Sequence, residues 1–230
     1  MEGPPIGELI TVTFAPKGSL QIPRGSQILI IGPPGVVKTT FALRYLADRL
    51  KANEPAVFAT TLWSPEQVRE TISQFGGKKL ATQLRIADGV SCVTARPSSE
   101  PFAFQNLYDL NTISLVMIQA ISDINNGHLC IDNLTTLMTY SAPLSVIKFL
   151  QVLCARVKDR GLTGFYLLED GVHSKEVVTT LRFSVDGVIE IHDEEEADEL
   201  IHKIRLAHLR GTQVDTRWLF YNEQSLLRRV

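Results

Sequence analysis

Gly32-Pro33-Pro34-Gly35-Val36-Val37-Lys38-Thr39-Thr40 is the stretch that decides how this chain is read. Before it, residues 27–31 form a short apolar run that reads as a buried strand. After it, Phe41, Leu43, Tyr45, Leu46 and Leu50 recur at helical spacing, so residues 39–51 read as a helix. A strand, a Gly/Pro turn and a helix opening on Lys-Thr form the context that the phosphate-loop pattern G-x-x-x-x-G-K-[ST] requires. In that pattern the main-chain N–H groups of residues 32–40 cradle phosphate oxygens, and the helix N-terminus adds partial positive charge. Lys38 would reach the β- and γ-phosphates, and the Thr39 hydroxyl would ligate Mg²⁺. ATP with Mg²⁺ is therefore the expected ligand. One position departs: Val37 stands where the pattern has its second glycine. Glycine allows close approach of backbone to phosphate and tolerates positive φ, and a β-branched residue does neither well. Weakened nucleotide binding is expected.

Outward from this stretch, strands and helices alternate. Residues 56–61 read as a strand. Ser64-Pro65 opens a helix, with Gln67 placed to complete a capping box and Phe75-Gly76-Gly77 ending it. Residues 84–87 read as a short strand and 96–101 as an exposed loop. A long helix is expected over 107–124, stopped by Asn125-Asn126-Gly127. Strands at 129–132, 164–168 and 187–192 are separated by helices at 143–158 and 175–183. Residues 201–209 and 216–221 suggest a hairpin around Arg210-Gly211-Thr212. Strands alternating with helices imply an α/β fold, with a mostly parallel sheet covered on both faces and an antiparallel hairpin at its C-terminal end.

The chain of 230 residues can bury a sizeable core, and its 44% hydrophobic and 21% charged residues are ordinary for a globular protein. A net charge of −2 gives no support to a nucleic-acid surface, although a local patch stays open. Cys92, Cys130 and Cys154 fit neither a zinc site nor a disulfide framework and read as three buried thiols. No apolar run reaches the roughly 18 residues of a membrane span, and residues 1–8 carry no signal-peptide pattern. A cytoplasmic protein is expected, with no membrane partner. Residues 1–17 read as an N-terminal extension to one domain spanning 18–230.

The second element of chemistry is His128-Leu129-Cys130-Ile131-Asp132, an apolar run ending in the carboxylate that a phosphate-loop protein needs for its Mg²⁺ shell. With these residues in place, the chain resembles the RecA/RadA superfamily and, within it, the KaiC-like archaeal ATPases. The resemblance is carried by Ile22-Pro23-Arg24-Gly25-Ser26, by residues 32–40, by Ser64-Pro65-Glu66-Gln67-Val68 and by Phe75-Gly76. Asp132-Asn133-Leu134-Thr135-Thr136-Leu137, Asp186-Gly187-Val188-Ile189-Glu190 and Leu209-Arg210-Gly211-Thr212 extend it to the C-terminal part. It implies a RecA-type twisted sheet, Thr39 and Asp132 as Mg²⁺ ligands, and nucleotide held between subunits of a homo-oligomer.

The same resemblance exposes departures. The family usually has acidic residues after the second strand, one of which activates the attacking water, and here Leu62-Trp63 stand there. It often has K-x-R in the hairpin, the Lys reaching a neighbour's γ-phosphate. Here His208-Leu209-Arg210 replace it, leaving Arg210 and His208 as the candidates for action in trans. Glu66, Asp88, Glu169 and Asp170 are carboxylates that could compensate, against a plainer reading as helix caps or strand ends. Asp193 to Glu196 read as an acidic, solvated turn, His128 and His173 as structural or exposed, and Trp63 and Trp218 as core or interface. The reading that follows is a nucleotide-binding homologue with weak or absent hydrolysis, acting through an oligomer or partner. An active DNA-dependent ATPase of recombination or repair, and a regulatory scaffold that binds no nucleotide, are the alternatives.

Overall fold

The computed structural model describes residues 8–14, 18–35, 37–196 and 199–221. Along the chain run β1 (Leu9–Phe14), β2 (Gly18–Pro23), β3 (Gln27–Gly32), α1 (Val37–Lys51), β4 (Ala56–Thr60), α2 (Pro65–Gly76), α3 (Lys78–Gln83), β5 (Arg85–Asp88), α4 (Val90–Thr94) and β6 (Phe102–Ala103). There follow α5 (Leu110–Ala120), β7 (His128–Asp132), α6 (Leu134–Tyr140), α7 (Pro143–Asp159), β8 (Thr163–Glu169), α8 (Lys175–Ser184), β9 (Gly187–Glu196), β10 (Glu199–Leu209) and β11 (Leu219–Tyr221). Among the described residues, nine strands form one sheet in the order β11-β10-β9-β3-β8-β7-β4-β5-β6. The pairs from β9 through β3 to β6 are parallel, and β10 and β11 extend the sheet antiparallel. This is the expected α/β architecture.

The two faces of the sheet follow from alternation along the buried strands. Ile28 and Ile30 of β3 join a cluster with Phe41, Leu43 and Leu46 of α1 and Val68 and Ile72 of α2. Leu29 and Ile31, one residue out of phase, join the opposite cluster with Met117 of α5, Leu137 of α6 and Leu150 of α7. The β1–β2 hairpin adds Ile10, Val12, Leu20 and Ile22 to the first cluster. Helix α2 starts as its sequence requires: the Ser64 hydroxyl accepts from the Gln67 N–H, and the Gln67 side-chain Oε1 accepts from the Ser64 N–H at 2.9 Å.

Several expectations are corrected. The helix expected over 107–124 is confined to Leu110–Ala120, because Asp109 caps it by accepting from the Asn111 and Thr112 N–H groups. Residues 193–196 are not a turn but the end of β9, with Asp193 opposite His202 and Glu194 opposite Ile201. The main antiparallel pairing is thus β9 with β10, and the expected β10–β11 pairing is limited to three residue pairs. Cys130 and Cys154 are buried, but Cys92 is only half-buried. Among the described residues, no helix is long and apolar enough to cross a membrane.

Candidate functional site

Parallel pairing lines up the carboxyl ends of the central strands, the edge at which open α/β sheets hold ligands. Gly32 stands opposite Glu169, and Thr60 stands opposite both Asp132 and Asp88. The chain leaves β3 at Gly32, where an added Cβ would lie 3.0 Å from the Ile191 Cβ and 3.2 Å from the Ile191 carbonyl oxygen. Glycine is what lets β3 and β9 approach so closely there. Pro33 and Pro34 carry no N–H, so main-chain donors come from Gly35 onward. Gly35 has φ 139°, a conformation open to glycine. Val36 lies outside the described residues.

Val37 is the first residue of α1, buried with 7% exposure among the core residues of that face. Its place in the helix gives it the negative φ of helical backbone. The expected backbone strain at this valine is therefore absent, because the loop takes its unusual dihedral at Gly35 instead. What remains of the glycine-to-valine departure is bulk: an isopropyl group beside the helix N-terminus, held by apolar contacts.

Lys38 and Thr39 follow on the first turn of α1 and turn inward. Lys38 is 1% exposed, and its ammonium donates to the Pro33 carbonyl oxygen and to Glu169 Oε2, the latter at 2.7 Å. The Thr39 hydroxyl donates to Asp132 Oδ2 at 2.7 Å. Burial pushes the Asp132 carboxyl up to about 6, against the Thr39 hydrogen bond and the Lys38 charge, which favour its ionised form. A buried carboxylate and a hydroxyl this close offer hard oxygen donors of the kind Mg²⁺ takes, with phosphate and water completing the shell.

Around this pair, polar side chains interlock. The Asn133 amide donates to Glu169 Oε1 at 3.0 Å and accepts from the Thr136 N–H at 2.8 Å. The Glu169 N–H donates to the Thr135 hydroxyl at 3.0 Å, and Thr135 also bonds the His173 ring at 2.9 Å. The Thr61 N–H donates to the Asp132 carbonyl at 2.8 Å, tying β4 to β7, and the Asp132–Asn133 peptide is cis.

Other candidates fall elsewhere. Leu62 is 52% exposed, and Trp63 is half-buried against the core, its main chain bonded to the Thr60 hydroxyl. Asp88 accepts from the Val90 and Ser91 N–H groups and from the Ser91 and Ser98 hydroxyls, which together hold its carboxyl below the usual range despite burial. It is a helix cap. Glu66 and Asp170 are exposed. Of the four carboxylates considered, the structure brings only Glu169 to Lys38. Arg210 is exposed and donates to the Phe183 and Val185 carbonyls of its own chain at 3.1 and 3.3 Å, and His208 is exposed on β10. Neither meets Lys38 or Asp132 within this chain in any hydrogen bond of the described residues.

Residues 17–224 match the protein family described as "ATPase: KaiC". The UPF0273 protein PH0284 of Pyrococcus horikoshii is 28% identical over 202 residues, covering 85% of this chain and 81% of that protein. The circadian clock oscillator protein KaiC of Parathermosynechococcus lividus is 27% identical over 202 residues, which cover 83% of this chain and 36% of that protein. Among solved structures, the KaiC-like protein PH0186 of Pyrococcus horikoshii superposes with a TM-score of 0.67 at 20% identity, covering 86% of this chain and 85% of that one. At that identity the likeness speaks for the fold.

Proposed function

The chain belongs to the KaiC ATPase family, and from that premise we propose that it binds ATP with Mg²⁺ through residues 32–40 and Asp132 and hydrolyses it slowly or not at all. The observation that carries the reading is convergence. Lys38, Thr39 and Asp132 come from two elements, are buried, and meet where α1 opens behind β3. Lys38 supplies charge for the terminal phosphates, the N–H groups of the first turn of α1 cradle them, and Thr39 and Asp132 would hold Mg²⁺. Mg²⁺ would supply neutralisation of the phosphate charge.

Slow turnover follows from what flanks β4. Activation of water needs a base within reach of it. At the end of β4, Leu62 points to solvent and Trp63 packs on the core, so this segment offers no carboxylate. A protein that holds ATP without consuming it acts through assembly with its own copies or with a partner, since bound nucleotide can then bias which surfaces associate. Arg210 would serve a neighbour only after leaving the Phe183 and Val185 carbonyls.

Calorimetric titration with ATP–Mg²⁺, paired with a phosphate-release assay, tests the reading. Saturable binding with negligible release is expected. Rapid release by the pure protein would reject the slow-turnover half, and absence of any binding heat or thermal shift would reject the whole.

A further inference from the structure

We infer that Glu169 is a built-in competitor for Lys38 that lowers the site's affinity for a nucleoside triphosphate relative to the diphosphate, an inference that rests on the nucleotide-binding reading above. The register of β3 against β8 sets Glu169 opposite Gly32, at the point where the loop begins. From there its Oε2 accepts from the Lys38 ammonium at 2.7 Å. Lys38 is shielded from solvent and Glu169 nearly so, with side chains 1% and 14% exposed. A Lys ammonium has three N–H donors. The Pro33 carbonyl and Glu169 engage it already.

Glu169 is held where it is. Its other oxygen accepts from Asn133 at 3.0 Å, and Asn133 is itself fixed by accepting from the Thr136 N–H. Its backbone N–H is bound to the Thr135 hydroxyl. An anion reaching Lys38 therefore arrives beside a carboxylate that has hydrogen-bonded reasons to stay. Two like charges a few ångströms apart in a poorly solvated site repel strongly. The phosphate that a loop lysine reaches last is the γ-phosphate, so the penalty falls more heavily on the triphosphate. Asp170, the next residue, is exposed and its carboxylate accepts from the Gly171 N–H, so it carries the same charge without the contact.

The experiment is calorimetric titration of ADP and of a non-hydrolysable ATP analogue, each with Mg²⁺, into the wild-type protein, Glu169→Gln, Glu169→Ala and Asp170→Asn, with thermal melts to confirm folding. Glu169→Gln, and Glu169→Ala as the check on a fold that tolerates only one of them, should tighten the analogue on the order of tenfold relative to ADP. Asp170→Asn should leave the ratio within about twofold. An unchanged ratio, or weaker analogue binding by both folded Glu169 variants, would overturn the inference and make Glu169 a support for Lys38. If no protein, wild type included, binds either nucleotide, the nucleotide-binding reading fails and this inference falls with it.

Discussion

The Thr39 hydroxyl donates to Asp132 Oδ2 at 2.7 Å, joining the first turn of α1 to the end of β7 with both residues buried. Burial raises the Asp132 carboxyl to about 6. An acid whose folded value lies above its ordinary value costs stability once the pH exceeds the folded value, and the cost fades as pH falls toward the ordinary value. At neutral pH, Asp132 is thus ionised at the expense of the fold. Asp132→Asn keeps an oxygen for Thr39 and removes the charge. It should stabilise the nucleotide-free protein by about 2 kcal/mol, or roughly 4–8 °C in a thermal melt, and abolish stabilisation by added ATP–Mg²⁺. A lower midpoint without nucleotide would contradict this.

Val37 sits in the core on helical backbone. Val37→Gly should cost about 2 kcal/mol of stability, through lost burial and added chain freedom at the helix start. The same change removes bulk beside the phosphates, so nucleotide affinity measured by titration should rise. Loss of stability with no change in affinity would show that the valine side chain does not face the ligand.

His128 is fully buried, bonded to the Tyr45 hydroxyl at 2.7 Å and to Glu54 at 2.6 Å, with Arg24 and Arg49 also on Glu54. Burial lowers the imidazole to about 4, outweighing the pull of Glu54. The folded state resists the proton that the unfolded state accepts, so stability is full above the ordinary histidine value and is lost as pH falls toward 4. The loss is up to about 3 kcal/mol. Asp132 moves the other way over part of this range, so the comparison that isolates His128 is wild type against His128→Asn. Melts from pH 7 to pH 4.5 should fall more steeply for wild type; parallel curves would contradict the account.

How much of this was legible follows from which forces are local. The strand–loop–helix around residues 32–40 and the capping box at Ser64 rest on neighbours in sequence, and both stand where the residues place them. Asp132 was found from an apolar run ending in a carboxylate. Glu169 was readable only as one strand-end carboxylate among four. Its role depends on β3 pairing with β8, an adjacency between residues far apart in sequence. The β9–β10 pairing was underestimated because Asp193 to Glu196 lack the apolar alternation that marks a strand, and it is their cross-strand partners that extend β9. Helix α6 was missed because seven residues are too few for helical periodicity to show.

A crystal structure of the protein with a non-hydrolysable ATP analogue and Mg²⁺ tests the central claim most directly. Phosphate density wrapped by the main chain of residues 32–40, with the metal bound to the Thr39 hydroxyl and Asp132 beside it, is the expected result. Nucleotide bound away from Lys38, or a Thr39–Asp132 contact unchanged with no metal near it, would contradict the assignment.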